Sequence, residues 1–197
     1  MLVPVKRFAA AKGRLRGTLH DRDRAGLAEW MATRVLSTVA ELPAFVACDD
    51  PEVRRWAEAR GAEVLWGPGL GLNGAVDDGI DRLIHRGARQ LLVSHADLPR
   101  PERLLDVPAP GRITLVPDRR RDGTNVMSFP SSHRIRATYG AGSFRRHLGQ
   151  AMRTGTAVEV RPDPELSLDL DTIEDLTHPL VREVLPSWLT TIPASPG

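Results

Sequence analysis

The 197 residues are 41% hydrophobic and 26% charged, with 27 cationic against 25 acidic side chains and a net charge of +2. That length encloses one core without metal or disulfide staples, and the composition excludes a disordered, collagen-like or membrane-spanning chain. Aromatic residues make up only 5% and none interleaves with Arg119-Arg120-Arg121, so neither a nucleic-acid nor a membrane partner is expected. The lone Cys48 and the short Met1-Leu2-Val3-Pro4-Val5-Lys6 start, which lacks a leader's apolar stretch, point to a reducing cytoplasm.

Short apolar runs alternate with helical periods, which predicts an α/β domain over 1–185, a mixed sheet with helices on both faces, and a C-terminal tail over 186–197. Leu2 to Val5 reads as the first strand, followed by a loop that holds Lys6 and Lys12, the only lysines of the chain. Leu27, Met31, Val35 and Val39 recur every four residues and predict a helix from about Arg22 to Glu41. Phe45 to Cys48 is a second strand, Pro51 opens a helix to Arg60, and Glu63 to Trp66 is a third strand. Gly67-Pro68-Gly69-Leu70-Gly71-Leu72 breaks the regularity before a helix capped by Asn73 and closed before Gly87.

Gln90 to Ser94 is a buried strand running into His95-Ala96-Asp97-Leu98-Pro99, and Arg112 to Val116 is another, followed by a polar turn from Pro117 to Asn125. Ser143 caps a helix that ends near Arg153. Val158 to Val160 and Leu166 to Leu170 read as late strands, Thr172 and Asp175 as a capping box, and Pro179 as a break in the last helix.

Asp97 stands at the carboxyl end of a buried strand, where open α/β sheets place their ligands, and it serves equally well as a metal carboxylate or as a turn residue. Asp169 and Asp171 alternate with Leu168 and Leu170, so both carboxylates share one face; Asp171 also suits the turn into the last helix, which leaves Asp169 as the better ligand. Carboxylates without a matching Cys or His cluster select Mg²⁺ or Mn²⁺ over zinc. His95 reads as a packed or surface residue, and no nucleophile elbow, Walker loop or dinucleotide fingerprint is present.

Eight strings occur in order: Val3-Pro4-Val5-Lys6, Ala11-Lys12-Gly13-Arg14-Leu15, Gly71-Leu72-Asn73, Ala96-Asp97-Leu98-Pro99, Pro117-Asp118-Arg119, Asp122-Gly123-Thr124-Asn125, Tyr139-Gly140-Ala141-Gly142-Ser143-Phe144 and Leu168-Asp169-Leu170-Asp171-Thr172. Together they resemble the 2-phospho-L-lactate / phosphoenolpyruvate guanylyltransferase family of coenzyme F420 biosynthesis, over about Leu2 to Leu176. The chain departs from the family pattern at Gly13, usually Ser, at Ile173, usually Pro, and in a shorter stretch from Asp97 to Val116.

The resemblance implies a GT-A-like nucleotidyltransferase fold and the transfer of GMP from GTP to a small phosphorylated carboxylic acid, with Mg²⁺ or Mn²⁺ as cofactor and pyrophosphate released. It places Lys6, Lys12 and Arg14 on the triphosphate as catalytic cations, with Gly71 and Asn73 beside the nucleoside. It places Asp97 and Asp169 on the metal, and Thr124, Gly140 and Ser143 on the acceptor. Two alternatives stay open, a related enzyme with another acceptor such as 3-phosphoglycerate and a catalytically silent nucleotide-binding paralogue; a homo-oligomer is compatible with either.

Overall fold

In the computed structural model, which describes residues 1–189, seven strands form one sheet. They are Leu2–Pro4 (β1), Phe45–Cys48 (β2), Glu63–Trp66 (β3), Gln90–Ser94 (β4), Arg112–Pro117 (β5), Thr124–Pro130 (β6) and Ala157–Val160 (β7), in the order β3-β2-β1-β4-β6-β5-β7. The pairs β1–β2, β2–β3, β1–β4 and β5–β7 are parallel, and β6 alone runs antiparallel, against β4 and β5. The helices are Asp21–Thr38 (α1), Pro51–Glu58 (α2), Gly71–His85 (α3), Ser143–Arg153 (α4), Ile173–Thr177 (α5) and Pro179–Arg182 (α6).

Successive strand residues face opposite sides of the sheet, so two cores form. Val3, Val46, Leu92, Val116 and Val126 pack under Ala32, Val35 and Leu36 of α1 and Val53 and Trp56 of α2. Leu2, Ala47, Leu91, Val93, Leu115 and Met127 pack under Val76, Ile80 and Leu83 of α3 and Phe144 and Ala151 of α4. A third cluster joins Leu15, Leu19, Leu27 and Met31 to Leu168, Leu170, Leu176 and Leu189. It clamps the opening loop against the last segment. Part of the expected tail lies outside the described residues; within the rest, Leu189 is buried in this cluster.

Four expectations need correction. The polar turn ends at Gly123, and Thr124 and Asn125 open β6, which the sequence reading missed. All seven β6 residues are buried, so no alternation marks the strand, and its polar side chains are paired: Ser128 Oγ donates to Leu91 O and Asn125 Nδ2 to Leu166 O. Leu166 to Leu170 is not a strand. Its leucines are buried as expected, but its backbone is held by isolated bonds, from Asn125 Nδ2 to Leu166 O, from Arg119 N–H to Ser167 O and from Leu170 N–H to Asp97 O. Asn73 lies inside the first turn of α3 and does not cap it. Ser143 is likewise the first residue of α4, and Gly142, in the left-handed region at φ 71°, takes the cap position.

The antiparallel course of β6 positions the site. Ser94 at the carboxyl end of β4 pairs with Val126, and His95 N–H donates to Asn125 O. Thr124, at the amino end of its strand, therefore reaches the same sheet edge as the loops after β1 and β4.

Candidate active site

Two single turns of 3₁₀ helix, Phe8–Ala10 and Gly13–Leu15, follow β1. The buried Arg24 of α1 donates from Nη1 to Ala11 O at 2.8 Å, and Leu15 sits in the third cluster. Pinned from both sides, Lys12 adopts φ 55°, a left-handed conformation that costs a non-glycine residue about 1 kcal/mol or more. Its reward is electrostatic. The Lys12 ammonium, only 5% exposed, donates to Asp97 Oδ2 at 2.8 Å and to Asp171 Oδ1 at 2.9 Å. Burial alone would lower the Lys12 pKa, but the two carboxylates outweigh it and hold the group above its ordinary value. Arg14 is 71% exposed, with Nη1 3.7 Å from Asp171 Oδ2, and Lys6 is exposed.

Burial would raise Asp97, but the Lys12 ammonium, followed by the His95 ring, more than reverses it and keeps the carboxylate well below its ordinary range. Among the described residues Asp169 has no such partner. Burial, then the charges of Asp97 and Asp171, push it up to about 6. The site thus holds two carboxylates sharing one lysine and a third, Asp169, that faces both of them.

Two cavities open here, of about 340 and 330 Å³. The first is lined by Lys6, Lys12, Ala96 and Asp97 and by apolar Val5 and Phe8; the second by Arg14, Arg119, Thr124, Tyr139, Gly140 and Ser143. Leu72, His95, Asp169 and Asp171 line both and form the wall between them. The three cations expected together are therefore divided, Lys6 and Lys12 on the first cavity and Arg14 on the second.

Gly71 and Asn73 line neither cavity. Gly71, at φ 64°, opens α3, and the Asn73 carboxamide brackets Tyr139, accepting from its N–H and donating to its carbonyl at 3.2 Å. The loop before α4 is further tied by Arg146, which donates to the carbonyls of Thr138 and Ala141, and by Asp122, which accepts from Gly142 N–H. With Gly140 at φ 111°, the loop presents its turn to the second cavity, while the N–H groups at the amino end of α4 are already engaged, that of Ser143 by Gly140 O and that of Phe144 by Asp122 O; Asp118, Asp122 and Asp175 line the same cavity beside Arg14 and Arg119. Sequence reasoning missed His147, wholly buried beneath this loop, and Tyr139, whose ring lies edge-on between those of His95 and His147 at 4.8 and 5.1 Å. Tyr139 stands in one of the eight strings but carries no expected role there, and His147 shows only as a polar residue on the Phe144–Ala151 face of α4.

A divalent cation fits the acidic wall. Asp97 Oδ1 is buried without a hydrogen-bond partner, Asp169 is held high by burial and then by the charges of Asp97 and Asp171, and both offer hard oxygens. Among the described residues no three Asp, Glu, His or Cys side chains form a ready-made cage. Magnesium is compatible with that, since it commonly takes one or two carboxylates and completes its shell with water and substrate phosphates.

The mixed seven-stranded sheet, with ligand cavities at one edge, is the architecture of a GT-A-like nucleotidyltransferase. A nucleotide-diphospho-sugar transferase, so described, from Desulfovibrio desulfuricans superposes over 89% of this chain and 83% of its own at a TM-score of 0.73, with 18% identity. A CMP:2-keto-3-deoxy-manno-octonic acid synthetase complexed with CTP covers 89% and 93% at a TM-score of 0.53 and 14% identity. At such identities the likeness speaks for the fold.

The chain belongs to the family described as guanylyl transferase CofC like, whose model matches residues 1–182. It is 37% identical over 186 residues to a phosphoenolpyruvate guanylyltransferase of Rubrobacter xylanophilus, covering 90% of this chain and 91% of the relative. It is 32% identical to a 2-phospho-L-lactate guanylyltransferase of Methanothermobacter thermautotrophicus, covering 89% and 81%. The chain is thus an enzyme of the nucleotidyltransferase class, a guanylyltransferase. Among the described residues no helix is long and apolar enough to cross a membrane.

Proposed function

We propose that the chain transfers GMP from GTP to a three-carbon phosphorylated acid, phosphoenolpyruvate in the first place, and releases pyrophosphate, as a step in coenzyme F420 biosynthesis. The observation that carries this reading is the pair of cavities divided by Asp169 and Asp171, one beside two lysines and the other beside Arg14, Arg119 and the polar side chains of Thr124 and Ser143. Two anionic substrates bound side by side meet at that wall. The name borne by the Rubrobacter relative supports phosphoenolpyruvate over 2-phospho-L-lactate. The buried, unpaired Cys48 suits a reducing cytoplasm.

The acceptor phosphate is already an anion at neutral pH and attacks the α-phosphorus of GTP without a general base; the barrier lies in bringing two anions together in line. Lys6, exposed at the first cavity, attracts the triphosphate, and Lys12 holds Asp97 and Asp171 in place while reducing their repulsion of it. Arg14 bridges the wall toward the second cavity. Asp97 and Asp169 would hold the divalent cation, whose charge offsets that developing on the pyrophosphate. Thr124 and Ser143, with the Gly140 turn, orient the acid so that its phosphate faces the wall. Gly71 and Asn73 act at one remove, by setting the start of α3, whose Leu72 lines both cavities, and by holding the Tyr139 turn of the second cavity.

Pyrophosphate release from GTP and Mg²⁺, measured with phosphoenolpyruvate, 2-phospho-L-lactate and 3-phosphoglycerate in turn, tests the reading. Release with phosphoenolpyruvate at well above the rate of the other two is the expected result, and release with none of the three acids would overturn it. Thr124→Ala and Ser143→Ala should each raise the apparent KM for the acid by about tenfold, the equivalent of one charge-assisted hydrogen bond partly replaced by water. The KM for GTP should stay within about twofold. Equal losses for both substrates in a folded variant would show that the second cavity is not a separate acceptor pocket.

A further inference from the structure

The wholly buried His147 of α4 has one ring nitrogen on the backbone and the other on Thr124. Thr138 N–H donates to His147 Nε2 at 3.0 Å, and His147 Nδ1 lies 2.9 Å from Thr124 Oγ1. A backbone N–H can only donate, so Nε2 must carry a lone pair; in a neutral imidazole the proton then resides on Nδ1. Nδ1–H therefore donates to the Thr124 hydroxyl oxygen, and the hydroxyl's own hydrogen is left to point elsewhere. Thr124 lines the second cavity, and among the described residues its side chain makes no other hydrogen bond. Around the ring, Tyr139 packs edge-on, and Arg146, one residue before it, is engaged with the carbonyls of Thr138 and Ala141.

We propose that His147 is a positioning residue for the acceptor: by occupying the lone-pair side of Thr124 it turns that hydroxyl into an obligate donor toward an anionic oxygen in the second cavity. This rests on the reading of that cavity as the acceptor pocket. The backbone bond from Thr138 sets the tautomer, the tautomer sets the direction of the hydroxyl, and the hydroxyl prefers an anion to a neutral group. A freely rotating hydroxyl would accept as readily as donate and would have to be oriented at binding, at the expense of affinity.

Two substitutions separate this role from simple packing. His147→Asn keeps an amide N–H near the place of Nδ1 and loses the acceptor for Thr138; His147→Gln keeps an acceptor near the place of Nε2 and loses the donor to Thr124. The expected result is that His147→Gln raises the KM for the acid by about fivefold to tenfold with kcat and the KM for GTP within about twofold, while His147→Asn stays within about threefold. In a Thr124→Val background neither change should raise that KM further, because no hydroxyl remains to orient. The reverse order of the two variants, or full additivity with Thr124→Val, would overturn the proposal.

Should either variant fail to fold, the nitrogen-15 shifts of the His147 ring in the unaltered enzyme decide instead. A protonated Nδ1 and an unprotonated Nε2, with and without the acid, are expected, and the opposite tautomer overturns the proposal. A wild-type enzyme that transfers GMP to none of the three acids refutes the acceptor reading itself, whereas a transferring enzyme with the wrong tautomer or additive mutations refutes only the role of His147.

Discussion

Replacing Asp169 by asparagine is expected to lower turnover at least about a hundredfold, the scale of one lost electrostatic contact to the transition state, while making the metal-free protein more stable above pH 6. Both effects come from the same uncompensated charge. The folded protein pushes Asp169 up to about 6, through burial and then the charges of Asp97 and Asp171, whereas in the unfolded chain it titrates near the ordinary carboxylate value. Below about pH 4 the group is protonated in both states and contributes nothing; between about pH 4 and 6 the unfolded chain ionises first and the penalty on the folded state grows, reaching its full size above about 6. Asparagine removes that penalty. The gain is about 1–2 kcal/mol once partial hydration is allowed for, a few degrees of melting temperature for a chain of this size.

Thermal melts in a chelating buffer from pH 4 to pH 8, set beside pyrophosphate-release rates with saturating Mg²⁺, measure both. A melting-temperature gap that does not grow with pH contradicts the electrostatic account. Near-normal turnover in Asp169→Asn with none in Asp171→Asn would transfer the metal-binding role to Asp171.

Lys12→Met is expected to give the largest loss of stability of any substitution at the site, about 3–5 kcal/mol at pH 7, with turnover falling at least tenfold. Methionine keeps the length and apolar stem of lysine, but it strands Asp97 and Asp171, which the ammonium joins at 2.8 and 2.9 Å. Asp97 is held below its ordinary range in the folded state, so its contribution is complete above the unfolded carboxyl value and is lost only as the pH falls through the lower folded value. The difference between variant and parent should therefore be greatest near neutrality and shrink in acid.

Manganese supplies a second measurement. The stranded carboxylates should bind the ion in place of the ammonium, so millimolar Mn²⁺ should raise the melting temperature of Lys12→Met more than that of the parent. A loss of activity without loss of stability would mean that Lys12 acts on the triphosphate directly and is not needed to hold the acidic pair together.

The residue types and their order carried much of this in advance. Leu27, Met31 and Val35 are fully buried on α1 and Val39 just past its end, Thr172 and Asp175 do form the capping box, and Pro179 does divide the last two helices. These features rest on spacings of three or four residues, within which local backbone geometry decides what a side chain can reach. The alternation of Asp169 and Asp171 with buried Leu168 and Leu170 was legible for the same reason, although the segment is no strand.

What the chain alone did not reveal depends on partners far away along it. Thr124 to Pro130 shows no alternation because one core packs on Val126 and the other on Met127 and Phe129, so both faces are buried and β6 became visible only within the sheet. Asn73 has the side chain of a good cap, yet its carboxamide is taken by Tyr139, 66 residues on. Lys12 reads as a cation of an opening loop, and its pairing with Asp97 and Asp171 spans 85 and 159 residues. The sequence determined by itself the sheet-and-helix alternation, the inventory of charged groups and the family; tertiary structure alone decided which charges neutralise one another. A side chain's electrostatic role depends on the distance to its partners and on exclusion of water, and folding sets both.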